Sequence, residues 1–370
     1  MIDKSTRKFM PLTQFLTEYT ERNVTNEYRP VAVGRYGIRT RESIYSKELA
    51  ADYSKNKLIY KDTLTVGMGS VQIDIGVLTD DVIYSVSPAY HTYKINGINP
   101  RYLDYCLKCR NQDMFTRYAK RGSRQGKSID LKRWITYEIP VYAPEQQIEI
   151  VERFLKAERI IELYQQQLAE LDNLVKARFV ELFGMPGTDA FGWGLVPLGS
   201  ICVINPKKSQ DKRLSEGIEV SFVPMPAVTE SGQIDPSTVK KYEEVKSGFT
   251  YFAEEDVLFA KITPCMENGK GAVAKGLCNG IGFGSTEFHV LRPVDGKTNP
   301  YWIYILTVFP QFREDAAANM TGSAGQRRVP ASFLETYKVA LPPIKLQEQF
   351  AAFVEQTDKS KVVAQFGRVA

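Results

Sequence analysis

Residues 145–183 read EQQIEIVERFLKAERIIELYQQQLAELDNLVKARFVELF and contain neither proline nor glycine. Apolar or small residues recur there at alternating steps of four and three. This period of 3.5 residues is typical of a helix that packs along another helix. We therefore predict one long helix, about 58 Å in length at 1.5 Å per residue. Its predicted seam consists of Ile150, Phe154, Ala157, Ile161, Tyr164, Leu168, Leu171 and Val175.

The sequences on either side of this helix repeat each other. The matched features are Pro11-Leu12 with Pro197-Leu198, His91 with His289, Asn99-Pro100 with Asn299-Pro300, Gly122-Ser123 with Gly322-Ser323, and Tyr137 with Tyr337. Matches in a fixed order mark a duplicated module. The offset grows from 186 to 200 along the chain, so the second copy carries extra residues, mostly before Ser285.

Each module closes in a proline-led, glutamine-rich helix start, APEQQIEIVERF in the first and PPIKLQEQFAAF in the second. The second of these helices carries Phe350 and Phe353 and can use at most 27 residues, about 40 Å. If it packs antiparallel to the long helix, part of the long seam stays uncovered. The predicted segments are a first module at 1–144, a central spacer helix at 145–184, a second module at 185–343 and a short distal helix at 344–370.

Within each module, short strands with frequent glycines come first. A helix of about 18 residues is predicted after each Asn-Pro, with asparagine as its cap and proline in its first turn. A polar glycine loop and a short strand follow. We predict an α+β fold in which two similar domains are separated by long helices that form an antiparallel two-helix rod.

The composition, with 43% hydrophobic and 25% charged residues, is typical of a soluble globular protein. No run of 18 apolar residues exists and the N-terminus lacks a signal-peptide core, so we expect a cytoplasmic protein without a membrane partner. Cys106 and Cys109 have no second cysteine pair, so no metal site is predicted. Residues 1–144 carry a net charge of +8, whereas 185–343 carry −1. The first module is the more obvious polyanion binder.

The segment between Arg117 and Arg133 is strongly basic, with Asp130 as its one acid. Lysine and arginine neutralise phosphates, while arginine and glutamine pair with guanine and adenine edges. The matching loop at 319–328 again offers hydroxyl, glutamine and arginine side chains after a helix. We predict that both loops contact DNA. The candidate residues are Arg117, Lys120, Arg121, Ser123, Arg124, Gln125, Lys127 and Lys132 in the first module, and Lys261, Thr286, Thr321, Ser323, Gln326, Arg327 and Arg328 in the second.

No catalytic constellation is recognisable in the sequence. The stretch GSRQGKS has three residues between its glycines, where a phosphate-binding loop needs four. Asp235, Glu244 and Lys246 resemble a nuclease motif only loosely, because Asp235 lies in a turn-like stretch. The two histidines have no nearby histidine or cysteine, and we interpret them as packed, hydrogen-bonded residues of equivalent strands. The chain is predicted to recognise a ligand and not to be an enzyme.

These features together resemble the DNA sequence-specificity subunit of type I restriction-modification systems. The most specific stretches are GFGSTEFHVLRP, the loop at 322–327 and LPPIKLQEQFAAFVEQTDKSK at 341–361. The resemblance implies that each module is a target-recognition domain for one half of a bipartite DNA sequence. It also implies that the helices set the gap and dock two methyltransferase subunits, and that restriction and translocase subunits join the complex.

The same resemblance implies that S-adenosylmethionine, ATP and Mg²⁺ belong to partner subunits and that this chain holds no cofactor. Two alternatives stay open at this point. The chain is either the detached specificity half of a larger restriction-modification enzyme or a coiled-coil adaptor that holds proteins. A neighbouring or fused methyltransferase reading frame would separate the first alternative from the main prediction, and indifference to DNA at low salt would favour the adaptor.

Overall fold

The computed structural model describes residues 7–41, 52–121, 127–323 and 325–366. The chain divides into two compact units, Met1–Ile160 and Ile161–Ala370. Both combine helices with mainly antiparallel sheets, so the predicted α+β class is confirmed. The division falls inside the long helix Pro144–Phe183, whose extent agrees with the proline- and glycine-free stretch. The predicted segment limits remain a prediction.

The first unit is built around a four-stranded antiparallel sheet of order β2-β9-β6-β7, beside which lie the pairs β1-β12, β3-β4, β5-β8 and β10-β11. Its strands are β1 Lys8–Pro11, β2 Leu16–Tyr19, β3 Val31–Gly34, β4 Gly37–Thr40, β5 Lys57–Ile59, β6 Thr63–Met68, β7 Ile73–Leu78, β8 Tyr84–Val86, β9 His91–Ile95, β10 Ala119–Arg121, β11 Lys127–Ile129 and β12 Glu138–Val141. Its helices are α1 Pro100–Cys109, α2 Asn111–Tyr118, α3 Leu131–Trp134 and the first part of α4 Pro144–Phe183.

The second unit repeats this plan, because β14-β21-β18-β19 has the same strand order and β13-β22 corresponds to β1-β12. Its second sheet has the order β16-β15-β20-β17, in which β15 and β20 run parallel. The corresponding places in the first unit are taken by the pairs β3-β4 and β5-β8, which are joined by a parallel bridge between Pro30 and Ser85. Its strands are β13 Leu195–Pro197, β14 Cys202–Ile204, β15 Glu219–Val223, β16 Val239–Lys241, β17 Thr250–Ala253, β18 Val257–Ala260, β19 Gly271–Val273, β20 Ile281–Gly284, β21 Phe288–Pro293 and β22 Lys338–Ala340. Its helices are α5 Tyr242–Val245, α6 Pro300–Val308, α7 Pro310–Ala318, α8 Ala331–Thr336 and α9 Ile344–Phe366.

The helix after each Asn-Pro starts as predicted. The side chain of Asn99 accepts a hydrogen bond from the backbone of Tyr102 at 3.0 Å, and Asn299 does the same for Tyr301 at 2.9 Å. The predicted length of about 18 residues was wrong, however, because each module has two short helices in this place. In the second module the break follows from Pro310, which lacks an N–H and disfavours a helical conformation in the residue before it.

In the first module the corresponding break lies at Arg110. This residue leaves the helical region, with φ −107° and ψ 7°, and its N–H bonds to the carbonyls of Leu107 and Lys108. The sequence holds no proline or glycine there. Leu107 before the break and Met114 after it are both fully buried in the core.

A buried glutamine fastens the long helix to the first module. Gln147 is 3% exposed and lies in the first turn of α4. Its side-chain oxygen accepts from Asn99 N at 2.9 Å, and its amide nitrogen donates to Tyr142 O at 2.8 Å. The start of α4 is therefore bonded directly to the start of α1.

The second module repeats this arrangement with Gln347, which is fully buried. Its oxygen accepts from Asn299 N at 2.9 Å, while its amide nitrogen donates to Lys297 O at 3.0 Å and Pro342 O at 2.9 Å. The glutamine-rich helix starts of the sequence thus have a defined role, because the buried glutamine supplies hydrogen-bond partners to backbone groups at the start of another helix and just before its own.

Within the second unit, α9 packs antiparallel to the later part of α4. Lys361 Nζ lies 2.7 Å from Asp172 Oδ1, and the Phe350 ring lies 5.5 Å from Phe179 and 5.3 Å from Phe183. Because the helices are antiparallel and Lys361 lies opposite Asp172, the C-terminal end of α9 lies opposite residue 167 of α4. The earlier part of the α4 seam therefore has no α9 residue opposite it in the described part of the chain.

Exposure along the predicted seam follows this register. Val175 and Phe350 are buried, and Ile150, Tyr164, Leu168, Leu171 and Phe353 are partly buried. Phe154 and Ile161 remain 41% and 37% exposed. One face of Phe154 stacks on Tyr105 with ring centroids 4.6 Å apart, and Tyr105 in turn donates to Glu158 at 2.9 Å. The seam is thus closed near α9 and open between residues 150 and 161.

Replacing Gln347 with leucine should destabilise the second module by about 1–3 kcal/mol, because the Asn299 N–H and two carbonyls lose their buried partner. The measurement is urea unfolding of the full chain. The exposed Gln349 lies on the same helix, so Gln349→Leu is a matched control and should leave the midpoint nearly unchanged. Equal midpoints for the two variants would contradict the role assigned to Gln347.

Candidate nucleic-acid interface

Three segments of the second module meet at the base of the predicted loop. The backbone N–H of Lys261 donates to Glu287 O at 2.9 Å, and Val329 N donates to Lys261 O at 2.9 Å. Thr263 N donates to Arg327 O at 3.0 Å. Residues 261–263, 285–287 and 321–329, which are distant in sequence, therefore form one continuous surface.

The loop itself is a narrow hairpin. Thr321 N donates to Arg328 O at 2.9 Å, and Arg328 N donates back to Thr321 O at 2.8 Å. Gly322 has φ +115°, and a Cβ there would lie 3.0 Å from Gln326 O, so only glycine fits without adjustment. Thr321, Ser323 and Gln326 are exposed at the tip. Their hydroxyl and amide groups face solvent, where a ligand can reach them.

The two arginines of this loop are held differently. Arg328 makes a two-pronged contact with Glu287, with Nε 2.9 Å from Oε2 and Nη2 2.8 Å from Oε1. Arg327 Nη2 lies 3.7 Å from Glu267 Oε1, which is too long for a hydrogen bond. Arg327 can therefore offer its guanidinium to a base edge, while Arg328 holds the loop in place.

Glu287 was not among the residues predicted from the sequence. The hydrogen bonds from Arg328 hold the pKa of Glu287 below its usual range, so the pair stays ionised at neutral pH. Burial lowers the pKa of the neighbouring Lys261. Thr286, the residue before Glu287, is exposed. The sequence gives no sign of this role, because Glu287 follows Gly284-Ser285-Thr286 whereas its partner Arg328 lies 41 residues further along the chain.

The two histidines lie on equivalent strands, as predicted, but in different environments. His289 is buried, donates through Nε2 to Val329 O at 2.8 Å and lies 3.0 Å from Asn205 Nδ2 through Nδ1. Burial lowers the pKa of His289, which fits a neutral ring that supports the loop base. His91 is only partly buried and pairs with Glu18 at 3.0 Å. The prediction of a packed histidine therefore holds for His289 more than for His91.

In the first module, β10 and β11 form the hairpin that carries the basic loop. The backbones of Arg121 and Lys127 are opposite each other in this strand pair. Ser123, Arg124 and Gln125 lie outside the described residues. Lys120 is exposed and its Nζ lies 3.7 Å from Asp130. The predicted candidates thus frame a hairpin at the position that matches the 321–328 loop.

Two further predicted residues of the first module flank this hairpin. Arg117 donates to Asp113 at 2.8 Å, and Asp113 also accepts from Tyr137 at 2.8 Å. Lys132 is exposed in the last turn of α3. Arg117 is therefore tied to the module by an acid, whereas the Lys132 ammonium is open to solvent.

The described residues contain no group of three His, Cys, Asp or Glu that could hold a metal ion. None of the helices in the described ranges is long and apolar enough to cross a membrane.

Comparison with known proteins gives the class. Residues 191–364 match the family described as Type I restriction modification DNA specificity domain. The Escherichia coli type I restriction enzyme EcoEI specificity subunit is 39% identical over 181 residues, which cover 48% of this chain and 28% of that protein. The EcoAI specificity subunit of the same organism is 43% identical over 163 residues, which cover 43% of this chain and 26% of that protein. The matched part spans little more than a quarter of these relatives.

Two solved structures share the fold over the whole chain. A chain from a study of complex assembly and conformational transition of the type I R-M system covers 100% of this chain and 94% of its own length, with a TM-score of 0.52 at 16% identity. The type I restriction-modification S subunit from M. genitalium gives the same coverage, with a TM-score of 0.51 at 12% identity.

Residues 191–364 are thus similar to the DNA specificity domain of type I restriction-modification systems, and the resemblance identified from the sequence is confirmed for this part of the chain. Both E. coli relatives are named specificity subunits, in agreement with the prediction that this chain is not itself an enzyme.

Replacing Glu287 with glutamine should loosen the 321–328 loop, because glutamine cannot accept both Arg328 hydrogen bonds and loses the ionic attraction. We expect faster hydrogen exchange at the Thr321 and Arg328 amides at neutral pH. Glu267→Gln removes the more distant acid beside Arg327 and serves as the control, with little change expected. Unchanged exchange in Glu287→Gln would show that the pair does not order the loop.

Proposed function

We propose that this chain is the noncatalytic, sequence-specific DNA-binding subunit of a type I restriction-modification complex. In this proposal each module reads one half of a bipartite target. The observation that carries it is the repeat of one arrangement: a loop on a hairpin at matching positions of two modules, each bonded through a buried glutamine to a long helix. The family match of the second module supports it.

For the second module, the proposed base contacts come from Gln326 and Arg327, because these exposed or half-exposed groups are not engaged by an acid at hydrogen-bonding distance. Arginine suits guanine, and glutamine suits adenine. Thr286, Thr321 and Ser323 would add hydroxyl contacts to bases or phosphates. Arg328 would position the loop through Glu287, and Lys261 would contribute positive charge beneath it.

For the first module, the proposed base contacts are Arg121, Arg124 and Gln125. Its phosphate contacts would come mainly from Lys120, Lys127 and Lys132, with Ser123 and Arg117 beside them. The net charge of +8 over residues 1–144 favours the approach of DNA to this module. Such phosphate contacts fix orientation, and the base contacts carry the sequence preference.

The proposed role of the helices is to set the gap between half-sites and to dock two methyltransferase subunits. The support is the open part of the seam, where Phe154 and Ile161 remain exposed beside Leu155, Ile160 and Leu163. Contiguous apolar side chains on a helix favour a protein partner. S-adenosylmethionine, ATP and Mg²⁺ would be held by methyltransferase and restriction subunits.

The proposal predicts that deleting this chain beside its methyltransferase removes one split motif from the genomic pattern of methylated adenines. The double variant Gln326→Ala, Arg327→Ala should also lower methylation of that motif, because removing each base contact costs about 1–3 kcal/mol of discrimination. Genome-wide mapping of methylated adenines measures both effects and reveals the two half-sites and their gap.

Lys338→Ala, an exposed charge change on the module surface, is the matched control and should preserve the pattern. If the chain co-purifies with the methyltransferase from the undeleted strain, an unchanged methylation pattern after its deletion would contradict the proposed role.

A further inference from the structure

A cluster of lysines and phenylalanines lies on and beside the sheet β16-β15-β20-β17 of the second module. We define the lysine–phenylalanine patch as Lys208, Lys240, Lys246, Phe222 and Phe249. We propose that this patch is a second DNA contact, which binds the phosphate backbone of the duplex beside the bases read by the 321–328 loop. This inference rests on the proposed DNA-binding function and assigns it an additional surface.

The geometry of the patch brings its members together from four segments. Lys240 Nζ lies 4.2 Å from the centroid of the Phe222 ring, and Phe249 meets Phe222 edge-on with centroids 5.0 Å apart. Lys208 donates through Nζ to the backbone oxygen of Lys246. Phe249 remains 38% exposed. One ammonium group thus lies over an aromatic pair that is partly open to solvent, and a second is bonded to the backbone three residues before Phe249.

The lysines of the patch form no ion pair with an acid among the described residues. Asp211 pairs with Arg213 at 2.7 Å and accepts from Tyr251. A surface that gathers cations and leaves them unpaired is suited to a polyanion.

The nearest acids in sequence to Lys246 are Glu243 and Glu244. Glu243 accepts from Gly217 N at 2.5 Å, and Glu244 accepts from Lys241 N at 3.0 Å, so both carboxylates hold backbone groups. The Gly217 hydrogen bond, with a smaller contribution from Lys246, keeps the pKa of Glu243 below its usual range. These acids cap local structure and do not cover the patch.

The patch is close to the predicted base-reading surface. Thr250, next to Phe249, pairs with Gly284, which precedes Thr286 by two residues. On the neighbouring strand, Val223 follows Phe222 and accepts from Ser285 N at 3.3 Å. The path from Phe249 to Thr286 takes one residue step to Thr250, crosses the strand pair to Gly284 and takes two further residue steps. The Cα atoms of Phe249 and Thr286 are therefore at most about 17 Å apart. The major groove is about 12 Å wide, so phosphates that border a groove read at Thr286 come within reach of the patch.

The choice of duplex DNA over an acidic protein follows from this position. Phe249 of the patch lies within about 17 Å of Thr286, which belongs to the surface proposed to contact DNA, and phosphates border every base that is read. Lys240 lies on β16, while Lys208 and Lys246 lie on the segments beside this sheet. Because residues 185–343 have a net charge of −1, a local cluster gives the second module the phosphate contacts that its overall charge does not supply.

The test measures binding of the full-length chain to a random-sequence duplex of about 40 base pairs between 50 and 200 mM salt. The triple variant Lys208→Ala, Lys240→Ala, Lys246→Ala should have a salt dependence shallower by about 0.9 for each phosphate that is no longer neutralised. If each lysine neutralises one phosphate, the wild-type chain loses about 40-fold more affinity than the variant over this salt range.

The control triple Lys338→Ala, Lys345→Ala, Lys359→Ala removes the same charge from exposed positions elsewhere in the second unit. It should keep the wild-type slope, as should the patch variant in which all three lysines become arginine. Equal slopes for the patch and control triples would overturn the patch while leaving the proposed function intact. Absence of duplex binding by the wild-type chain at 50 mM salt would instead overturn the proposed function itself.

Discussion

The buried glutamine at the start of each long helix is the contact on which the architecture depends. Gln147 and Gln347 each accept from the backbone N–H of an asparagine that caps another helix, and each donates to carbonyls in the segment before its own helix. A buried amide with fixed donors and acceptors tolerates little rotation. The direction in which each helix leaves its module is therefore set by hydrogen bonds, and apolar packing then extends the contact along the helix.

Around this shared base, the two modules differ where ligand recognition is expected. Both have a four-stranded antiparallel sheet of the same order and a hairpin loop after two short helices. In the second module β16, β15, β20 and β17 form one continuous sheet, where the first module has the separate pairs β3-β4 and β5-β8, and its loop is held by the contact of Glu287 with Arg328. A shared plan with different additions allows two different surfaces to be presented on one kind of scaffold.

Electrostatics divides the basic residues of the second module by role. Arg328 is engaged by Glu287 on two prongs, so its charge stabilises the loop. Arg327 has only a distant acid, and the patch lysines have no ion pair among the described residues. Net charge alone hides this division, since a near-neutral module can still leave selected cations free. The distribution of ion pairs, more than their number, decides where an anionic ligand can bind.

The sequence by itself determined the duplication, the α+β class, the extent of the long helix and the Asn-Pro helix starts, because periodicity, caps and breakers are local signals. It overestimated the length of the helices after Asn-Pro, because Pro310 interrupts the second and the break at Arg110 in the first has no proline or glycine to signal it. It also could not separate Arg327 from Arg328, because Glu287 reaches the loop only through strand pairing. Tertiary structure decided which charges are paired and which part of the α4 seam α9 covers, since both depend on contacts between residues far apart in the chain.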